Sequence, residues 1–116
     1  KQLTSLRKKG VLIIGSGNMV HNLRMVAWDK LNEPEYGYDW TTEMNEIFKA
    51  KISDGNHKAL INYETLDKAA KLAVPTPDHY YPMLYNLALQ DSKDDINFFN
   101  DKAVGGSLTM TSVKIG

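Results

Sequence analysis

Four consecutive aliphatic residues at positions 11–14 (VLII) lie between Gly10 and Gly15, and they constrain the fold more than any other stretch of the sequence. Because apolar and polar residues do not alternate within this run, it predicts a short strand buried on both faces of a parallel or mixed sheet. The turn at residues 15–18 (GSGN) follows at the carboxyl end of that strand, which is the edge where open α/β sheets usually bind ligands. The run therefore predicts an α/β fold and marks the turn after it as a candidate site.

Amphipathic periodicity predicts a helix after a polar loop at residues 29–38. One face of this helix keeps the i, i+4, i+7, i+8 spacing and comprises Trp40, Met44, Ile47, Phe48 and Lys51. Asp39 precedes the pattern as the predicted N-cap, and Gly55 lies where the helix is expected to end. Two shorter helical pieces are predicted over residues 58–63 and 65–73.

A proline-stiffened segment at residues 74–77 (VPTP) predicts an extended entry into a further helix. Thr76 would be its N-cap and Pro77 its first residue. The predicted buried stripe of this helix comprises Tyr81, Leu84, Tyr85 and Ala88. Because Pro82 lacks the N–H that a helix interior uses, an alternative start lies nearer to Pro82. With either start, His79 falls at or just before a helix N-terminus.

The last part of the chain predicts strands at residues 96–99 and 107–115, with a turn at Gly105-Gly106. Together with the helices, these strands predict an α/β fold in which a mixed sheet has flanking helices, although the sheet is too small to be complete. Residues 1–10 resemble the end of a helix, since basic residues crowd the last turn and Gly10 would stop it. The beginning of that helix is absent, so we expect the chain to start inside a domain.

Composition excludes several classes of protein. The chain has 14 basic and 14 acidic residues, and no basic face stands out that could hold a phosphate backbone, so we expect no nucleic-acid partner. The longest apolar run is far too short to span a membrane, and no signal-peptide pattern opens the chain. The absence of cysteine excludes disulfides and thiolate ligands and fits a reducing compartment, so a cytoplasmic location is expected.

Two of the three histidines are candidates for metal binding or acid–base chemistry, for which imidazole is well suited near neutral pH. His21 lies in the loop that leaves the predicted strand, and His79 lies in the proline-stiffened turn before a helix. The alternative is that both are structural or surface histidines. His57 is interpreted as an exposed loop residue. A catalytic metal usually has three protein ligands, so a third would be a carboxylate, His57 or a group from outside this chain.

Residues 11–20 (VLIIGSGNMV) also approach the dinucleotide-binding fingerprint, a strand followed by Gly-x-Gly-x-x-Gly. Val20 takes the place of the third glycine, which would let the helix and strand pack closely. The acidic residue expected about 20 positions further on falls in a polar loop with no strand before it. Dinucleotide binding is therefore disfavoured.

Several stretches resemble the 4,5-DOPA dioxygenase extradiol family in collinear order over essentially the whole chain. Residues 10–24 (GVLIIGSGNMVHNLR) are similar to its strand-and-histidine segment, and residues 75–85 (PTPDHYYPMLY) to a second signature. Residues 105–116 (GGSLTMTSVKIG) resemble its closing strand, while residues 36–51 and 61–63 match more loosely. The resemblance identifies the chain as a member of this group of class III extradiol ring-cleavage dioxygenases.

The resemblance implies that residues 1–116 are the C-terminal half of a single larger α/β domain whose N-terminal half is absent. In that family the metal lies among histidines from both halves. His79 then carries over as a metal ligand, and His21 as a metal ligand or as the acid–base catalyst. The implied cofactor is a divalent metal, Zn²⁺ or Fe²⁺. The implied partners are O2, a catechol such as DOPA, and the N-terminal half of the same protein.

Further residues are candidates for substrate binding. Asn18 and Asn22 would position substrate oxygens, or alternatively Asn18 would serve the turn and Asn22 would cap the segment after it. Tyr80 would line an aromatic pocket, whereas the neighbouring Tyr81 and Tyr85 are expected to pack in the helix stripe. The alternative function for the whole chain is a non-catalytic binding or interaction module derived from the same fold.

Overall fold

A computed structural model describes residues 3–116, so Lys1 and Gln2, which belong to the predicted first helix, lie outside the described residues. The helices within that range are α1 (Thr4–Arg7), α2 (Asp39–Ser53), α3 (His57–Ile61), α4 (Ala70–Ala73) and α5 (Tyr81–Leu87). The strands are β1 (Ile96–Phe99), β2 (Ala103–Val104), β3 (Leu108–Thr109) and β4 (Ser112–Ile115). Short 3₁₀ turns span Leu23–Met25, Trp28–Lys30, Tyr63–Thr65 and Pro77–His79.

The longest helix, α2, confirms the amphipathic pattern. Its buried face comprises Thr41, Met44, Asn45, Phe48 and Ile52, with Trp40 and Ile47 partly buried beside them. Asp39 is the first helical residue and not the N-cap, which is Tyr38. Gly55 follows the helix end with a φ of 66°, a left-handed value that glycine adopts without steric cost.

The core lies where α2, α3, α4 and α5 pack together, and the ring of Tyr80 is at its centre. The Tyr80 ring contacts the rings of Phe48 and Tyr63, with centroid distances of 5.3 and 4.8 Å. Its hydroxyl donates a hydrogen bond of 2.7 Å to the carbonyl oxygen of Leu60, which anchors α5 to α3. After Tyr80, which directly precedes α5, the side chains that bury the most volume in this core belong to the helices: Phe48, Met44, Ile52, Leu60 and Leu87.

The prediction of the buried stripe of α5 is wrong, because the buried residues lie one position earlier in the sequence than expected. Tyr81 and Tyr85 are exposed, the latter by 70% of its surface, whereas Tyr80 and Leu87 are buried. The helix begins at Tyr81, with Pro82 in its first turn, after a separate 3₁₀ turn at Pro77–His79. This later start, the alternative that Pro82 indicated, changes which side chains face the core.

The strands form two small antiparallel ladders. β1 pairs with β4, from Ile96 opposite Ile115 to Phe99 opposite Ser112, and β2 pairs with β3 across the turn at Gly105 and Gly106. Isolated bridges join His21 to Leu108 antiparallel and Gly37 to Gly106 parallel. The chain is an α/β protein, as the sequence predicted.

The prediction of a buried strand at residues 11–14 is wrong for the chain in this structure. The segment runs from residue 11 to residue 18 without a turn or bend, yet it belongs to no ladder within residues 3–116. Leu12 and Ile14 are exposed by 82% and 79%. A strand exists only when a neighbour pairs with it, and the described part of the chain provides none.

The chain is less compact than its length allows. Its radius of gyration is 14.6 Å, with principal extents of 45, 29 and 21 Å, whereas a closed domain of this length has a radius of about 13 Å. Of the helices in residues 3–116, none combines the length and apolar character needed to span a membrane.

Candidate metal and active site

A buried asparagine holds the loop that carries His21. The Asn22 side chain donates a 2.9 Å hydrogen bond to the Leu72 carbonyl and accepts one of 3.1 Å from the Arg24 N–H. The Ser107 hydroxyl donates to the Asn22 carbonyl at 2.6 Å, and the Asn22 N–H donates to the Ser107 carbonyl. His21 itself donates from its backbone N–H to the Ala73 carbonyl at 2.8 Å. The loop is therefore fixed from three directions, and the Asn22 side chain caps the segment after it, as the second of the two sequence interpretations expected.

The turn that carries His79 is held against the segment at residues 15–18. The Asn18 N–H donates a 2.8 Å hydrogen bond to the His79 carbonyl. A Cβ atom on Gly17 would collide with that carbonyl, and one on Gly15 would collide with Asn86 and with the Pro82 carbonyl. The two glycines therefore permit close contact between this segment and the start of α5. This contact explains the Gly-x-Gly pattern without a dinucleotide.

The two loops bring His21 and His79 together. Their ring centroids are 4.0 Å apart and the ring planes are inclined by 31°. The Nε2 atom of His79 also lies 3.5 Å from the Oδ2 atom of Asp78. Partial burial lowers the pKa of His21, His79 lowers it further, and Asp78 opposes both effects. A lowered pKa favours the neutral imidazole, which can accept a proton or bind a metal ion.

Two concave surfaces meet at His79. The first, with a volume of about 730 Å³, is bounded by residues 11–15, by Asn18 and by β4. The second, of about 670 Å³, is lined by His21, Arg24, Asp78 and neighbouring residues. His79 lines both surfaces, so the histidine pair lies at the junction of the two concavities.

The histidine pair alone does not make a complete metal site. No group of three or more histidine, cysteine, aspartate or glutamate side chains converges to bind a metal within residues 3–116. Two adjacent imidazoles are donors that suit Zn²⁺ or Fe²⁺, whereas catalytic metals usually have three protein ligands. The donor set therefore fits part of such a site and does not form a complete one.

The other predicted residues have different positions. Asn18 lines the first cavity and donates from its side chain to the Thr109 carbonyl at 2.7 Å. Tyr80 is buried in the core, where burial raises the pKa of its hydroxyl, and it lines neither cavity. Its position favours packing over the predicted contact with substrate. His57 lies at the start of α3, where its ring is 2.9 Å from the Gln90 side-chain oxygen.

Two residues of the second cavity were not singled out in the sequence. Arg24 follows His21 by three positions, and Asp78 directly precedes His79. Asp78 accepts a 2.6 Å hydrogen bond from the Thr76 hydroxyl, which lowers the pKa of its carboxyl group. Their proximity in sequence to the two histidines was the available signal. It has little weight by itself because loops are rich in charged residues.

Comparisons with known proteins agree with this architecture. No family model matches the sequence. The chain is 39% identical over 120 residues to 4,5-DOPA dioxygenase extradiol of Escherichia coli K12, a match that covers all of this chain and 42% of the relative. It is 26% identical over 114 residues to the protein of the same name from Beta vulgaris, covering 97% of this chain and 40% of the relative.

A solved structure is also similar to almost the whole of this chain. The crystal structure of an uncharacterized protein from Escherichia coli K12 superimposes with a TM-score of 0.87 at 37% sequence identity, covering 99% of this chain and 47% of that chain. The agreement confirms the α/β class, and the shared fold is that of a part of a longer α/β protein. The curated proteins that are homologous to this chain are named 4,5-DOPA dioxygenase extradiol, and the chain is similar to the E. coli one over its whole length. It spans less than half the length of the curated relatives that it matches.

Proposed function

We propose that this chain supplies part of the active site of a metal-dependent extradiol ring-cleavage dioxygenase, which opens catechols such as DOPA with O2. The observation that carries the proposal is the pairing of His21 and His79. These residues are 58 positions apart in the sequence, and yet their rings are 4.0 Å apart where two cavities meet. The names of the curated relatives supply the class of reaction.

The two histidines have distinct proposed roles. His79 is a metal ligand, and His21 is either a second ligand or the base that takes a proton from a catechol hydroxyl and later returns it. A bound Zn²⁺ or Fe²⁺ would hold the catechol oxygens, and only iron would add the redox chemistry that O2 requires. Asn18 lines the same cavity as His79 and is the proposed contact for a substrate oxygen.

The remaining ligands are proposed to come from the N-terminal half of the same protein, with residues 1–116 as the C-terminal portion of one larger domain. Two observations support this partner. The described residues bring only two suitable ligands together, and the E. coli relative is matched over 42% of its length. Cytoplasm remains the proposed compartment, on the basis of the cysteine-free composition.

A chimera tests the proposal. This chain would replace the homologous region of the E. coli relative, and the purified protein would be loaded anaerobically with Fe²⁺. Its metal content and its O2 consumption with DOPA would then be measured. We expect His79→Ala to lose bound metal. His21→Ala is expected to lower turnover by about a hundredfold or more if His21 is the acid–base catalyst.

The matched control is His57→Ala, because His57 contacts Gln90 and lines neither cavity. We expect this variant to keep both its metal and its turnover. Loss of metal in His21→Ala would assign His21 as a ligand, and loss of turnover alone would assign it as the acid–base catalyst. A folded chimera in which His21→Ala and His79→Ala both keep full metal and turnover would refute the proposal. An inactive chimera that binds no metal would favour the non-catalytic module.

A further inference from the structure

The second cavity, the concave surface of about 670 Å³ beside the histidine pair, is lined by a guanidinium group. Of the described residues that line it, Arg24 is the one lysine or arginine. Its Cα atom lies at most about 11 Å from that of His21, because three residues of fully extended chain span no more than this. The same cavity therefore contains the histidine pair and a permanent positive charge.

The backbone of Arg24 is held in place, although its side chain is exposed. The Arg24 N–H donates a 3.1 Å hydrogen bond to the Asn22 side chain, which caps the 3₁₀ turn at Leu23–Met25. Asn22 is in turn hydrogen-bonded to Leu72 and to Ser107. The long Arg24 side chain thus starts from a fixed point in the cavity wall.

The two arginines of the sequence differ in their partners. The Arg7 guanidinium donates to both carboxylate oxygens of Asp94, at 2.7 and 2.9 Å. The Arg24 guanidinium, by contrast, has no hydrogen-bond, ion-pair or ring partner within residues 3–116. Arg24 is therefore a cation to which the described part of the chain supplies no anion.

The carboxylate of the same cavity is engaged in its own turn. Asp78 accepts a 2.6 Å hydrogen bond from the Thr76 hydroxyl, and its Oδ2 atom lies 3.5 Å from the Nε2 atom of His79. Within residues 3–116, no ion pair joins Asp78 to Arg24. The two opposite charges remain separate, which leaves the guanidinium group for an anion carried by a bound molecule.

The rest of the wall suits a molecule with an apolar body and a charged end. The apolar residues that line this cavity are Leu23, Met25 and Pro75. Sites for small molecules commonly combine such a lining with a few polar groups that fix the orientation of the ligand. Here the polar groups are the histidine pair and the Arg24 guanidinium.

We infer that Arg24 is a specificity-determining residue, which binds a carboxylate on the side chain of the catechol substrate. The inference rests on the function proposed above, and it adds the class of substrate, namely catechols whose side chain ends in a carboxylate. The catechol oxygens lie at His21 and His79, the apolar wall contacts the remainder of the molecule, and Arg24 donates two parallel hydrogen bonds to the carboxylate. The planar fork of a guanidinium group matches a carboxylate in this way, whereas it repels an ammonium group.

The test compares three catechols in the iron-loaded chimera of this chain with the E. coli relative. DOPA has both a carboxylate and an ammonium group, dihydrocaffeate has only the carboxylate, and dopamine has only the ammonium group. The preference for dihydrocaffeate over dopamine, which is the ratio of their kcat/KM values, would be measured from O2 consumption. We expect Arg24→Gln to lower this ratio by about tenfold or more, mostly through KM, because it removes a charge-assisted bidentate contact. The kcat/KM for DOPA should fall in parallel with that for dihydrocaffeate.

Two further variants separate a direct contact from a general effect of charge. Arg24→Lys keeps the charge but lacks the planar fork, so we expect its ratio to lie between those of the parent and of Arg24→Gln. Lys58→Gln removes a positive charge from an exposed residue that lines neither cavity, and it should change the ratio by less than about twofold. Because Arg24 is exposed, neither substitution there is expected to unfold the protein.

An active chimera whose ratio is unchanged by Arg24→Gln, or is lowered equally by Lys58→Gln, would overturn the inference and leave the dioxygenase proposal standing. Anaerobic binding of the same catechols, measured by isothermal titration calorimetry, gives a second readout that needs no turnover. A chimera that opens no catechol, but whose affinity for dihydrocaffeate falls about tenfold in Arg24→Gln, would support the carboxylate contact and contradict the dioxygenase proposal. A chimera that binds dihydrocaffeate no better than dopamine would overturn the inference. The two ideas can therefore fail separately.

Discussion

The helical core and the segment at residues 11–14 are built from the same kind of side chain and yet have opposite environments. Phe48 and Leu60 are fully buried, whereas Leu12 and Ile14 are the most exposed large hydrophobic residues within residues 3–116. A helix satisfies its backbone internally and needs neighbours only to cover one face. A strand needs neighbours for its backbone as well as for its faces. The comparison shows that residues 3–116 cover the apolar faces of their helices, whereas they neither pair nor cover the apolar run at residues 11–14.

The candidate site shows the same contrast on a smaller scale. The backbones of His21 and His79 are fixed by hydrogen bonds within the chain, to Ala73 and from Asn18. The side chains meet, but no group of three or more potential metal ligands forms around them within residues 3–116. This chain thus fixes the positions of the two histidines, and the metal site proposed for them would need further ligands.

The largest expected effect separates the two regions directly. Phe48→Ala should lower the free energy of unfolding by about 3–5 kcal/mol, because it leaves a cavity at a fully buried position. Ile14→Ala should change it by no more than about 0.5 kcal/mol, because the side chain is already in water. Urea denaturation of the 116-residue chain would measure both. Equal losses would mean that residues 11–14 belong to the core after all.

A smaller effect is expected where the segment contacts the site. Gly17→Ala adds a methyl group that overlaps the His79 carbonyl, so we expect a loss of about 1–3 kcal/mol in the free energy of unfolding. The neighbouring Ser16→Ala is the control, since Ser16 is exposed. A shift of the His79 imidazole resonances in the NMR spectrum of Gly17→Ala, and not of Ser16→Ala, would show that the strain reaches the site. Unchanged stability and resonances in Gly17→Ala would contradict the close contact.

The hydrogen bond between α5 and α3 gives a further test of the core. Tyr80→Phe removes the donor to the buried Leu60 carbonyl, and we expect a loss of about 1–2 kcal/mol on urea denaturation. Tyr85→Phe makes the same change at an exposed ring and should have no measurable effect. If Tyr80→Phe kept full stability as a pure chain and instead weakened catechol binding in the chimera, Tyr80 would return as a substrate contact.

The smallest effect concerns the ion pair between Arg7 and Asp94, of which Arg7 lines the first cavity. The hydrogen-bonded Arg7 holds the pKa of Asp94 at about 2, below its value in an unfolded chain of about 4. A depressed pKa contributes stability above the unfolded value, and this contribution is lost as the pH falls from about 4 through about 2. Asp94→Asn should therefore lower the melting temperature at pH 7, and its difference from the parent chain should shrink below about pH 4 and vanish only below about pH 2. Asp29→Asn is the control, and a difference between Asp94→Asn and the parent that stayed constant from pH 7 to pH 2 would exclude this linkage.

The sequence by itself determined the features that depend on local chemistry. The spacing of apolar residues predicted α2. Pro77 predicted the turn that carries His79, and Pro82 predicted a helix start nearby. These features arise from periodicity and from the fixed geometry of proline, both of which act over a few residues. The same local evidence singled out His21 and His79 as candidates, although it gave no reason for them to be adjacent.

Only the tertiary structure decided the features that depend on distant segments. It placed His21 and His79 in contact, moved the buried side of α5 to Tyr80 and Leu87, and left Leu12 and Ile14 exposed. Distances between segments are set by packing, and the burial of a strand is set by neighbours that its own sequence does not contain. An apolar run indicates that a segment favours burial. Whether the segment is buried depends on the neighbours that the rest of the fold places against it.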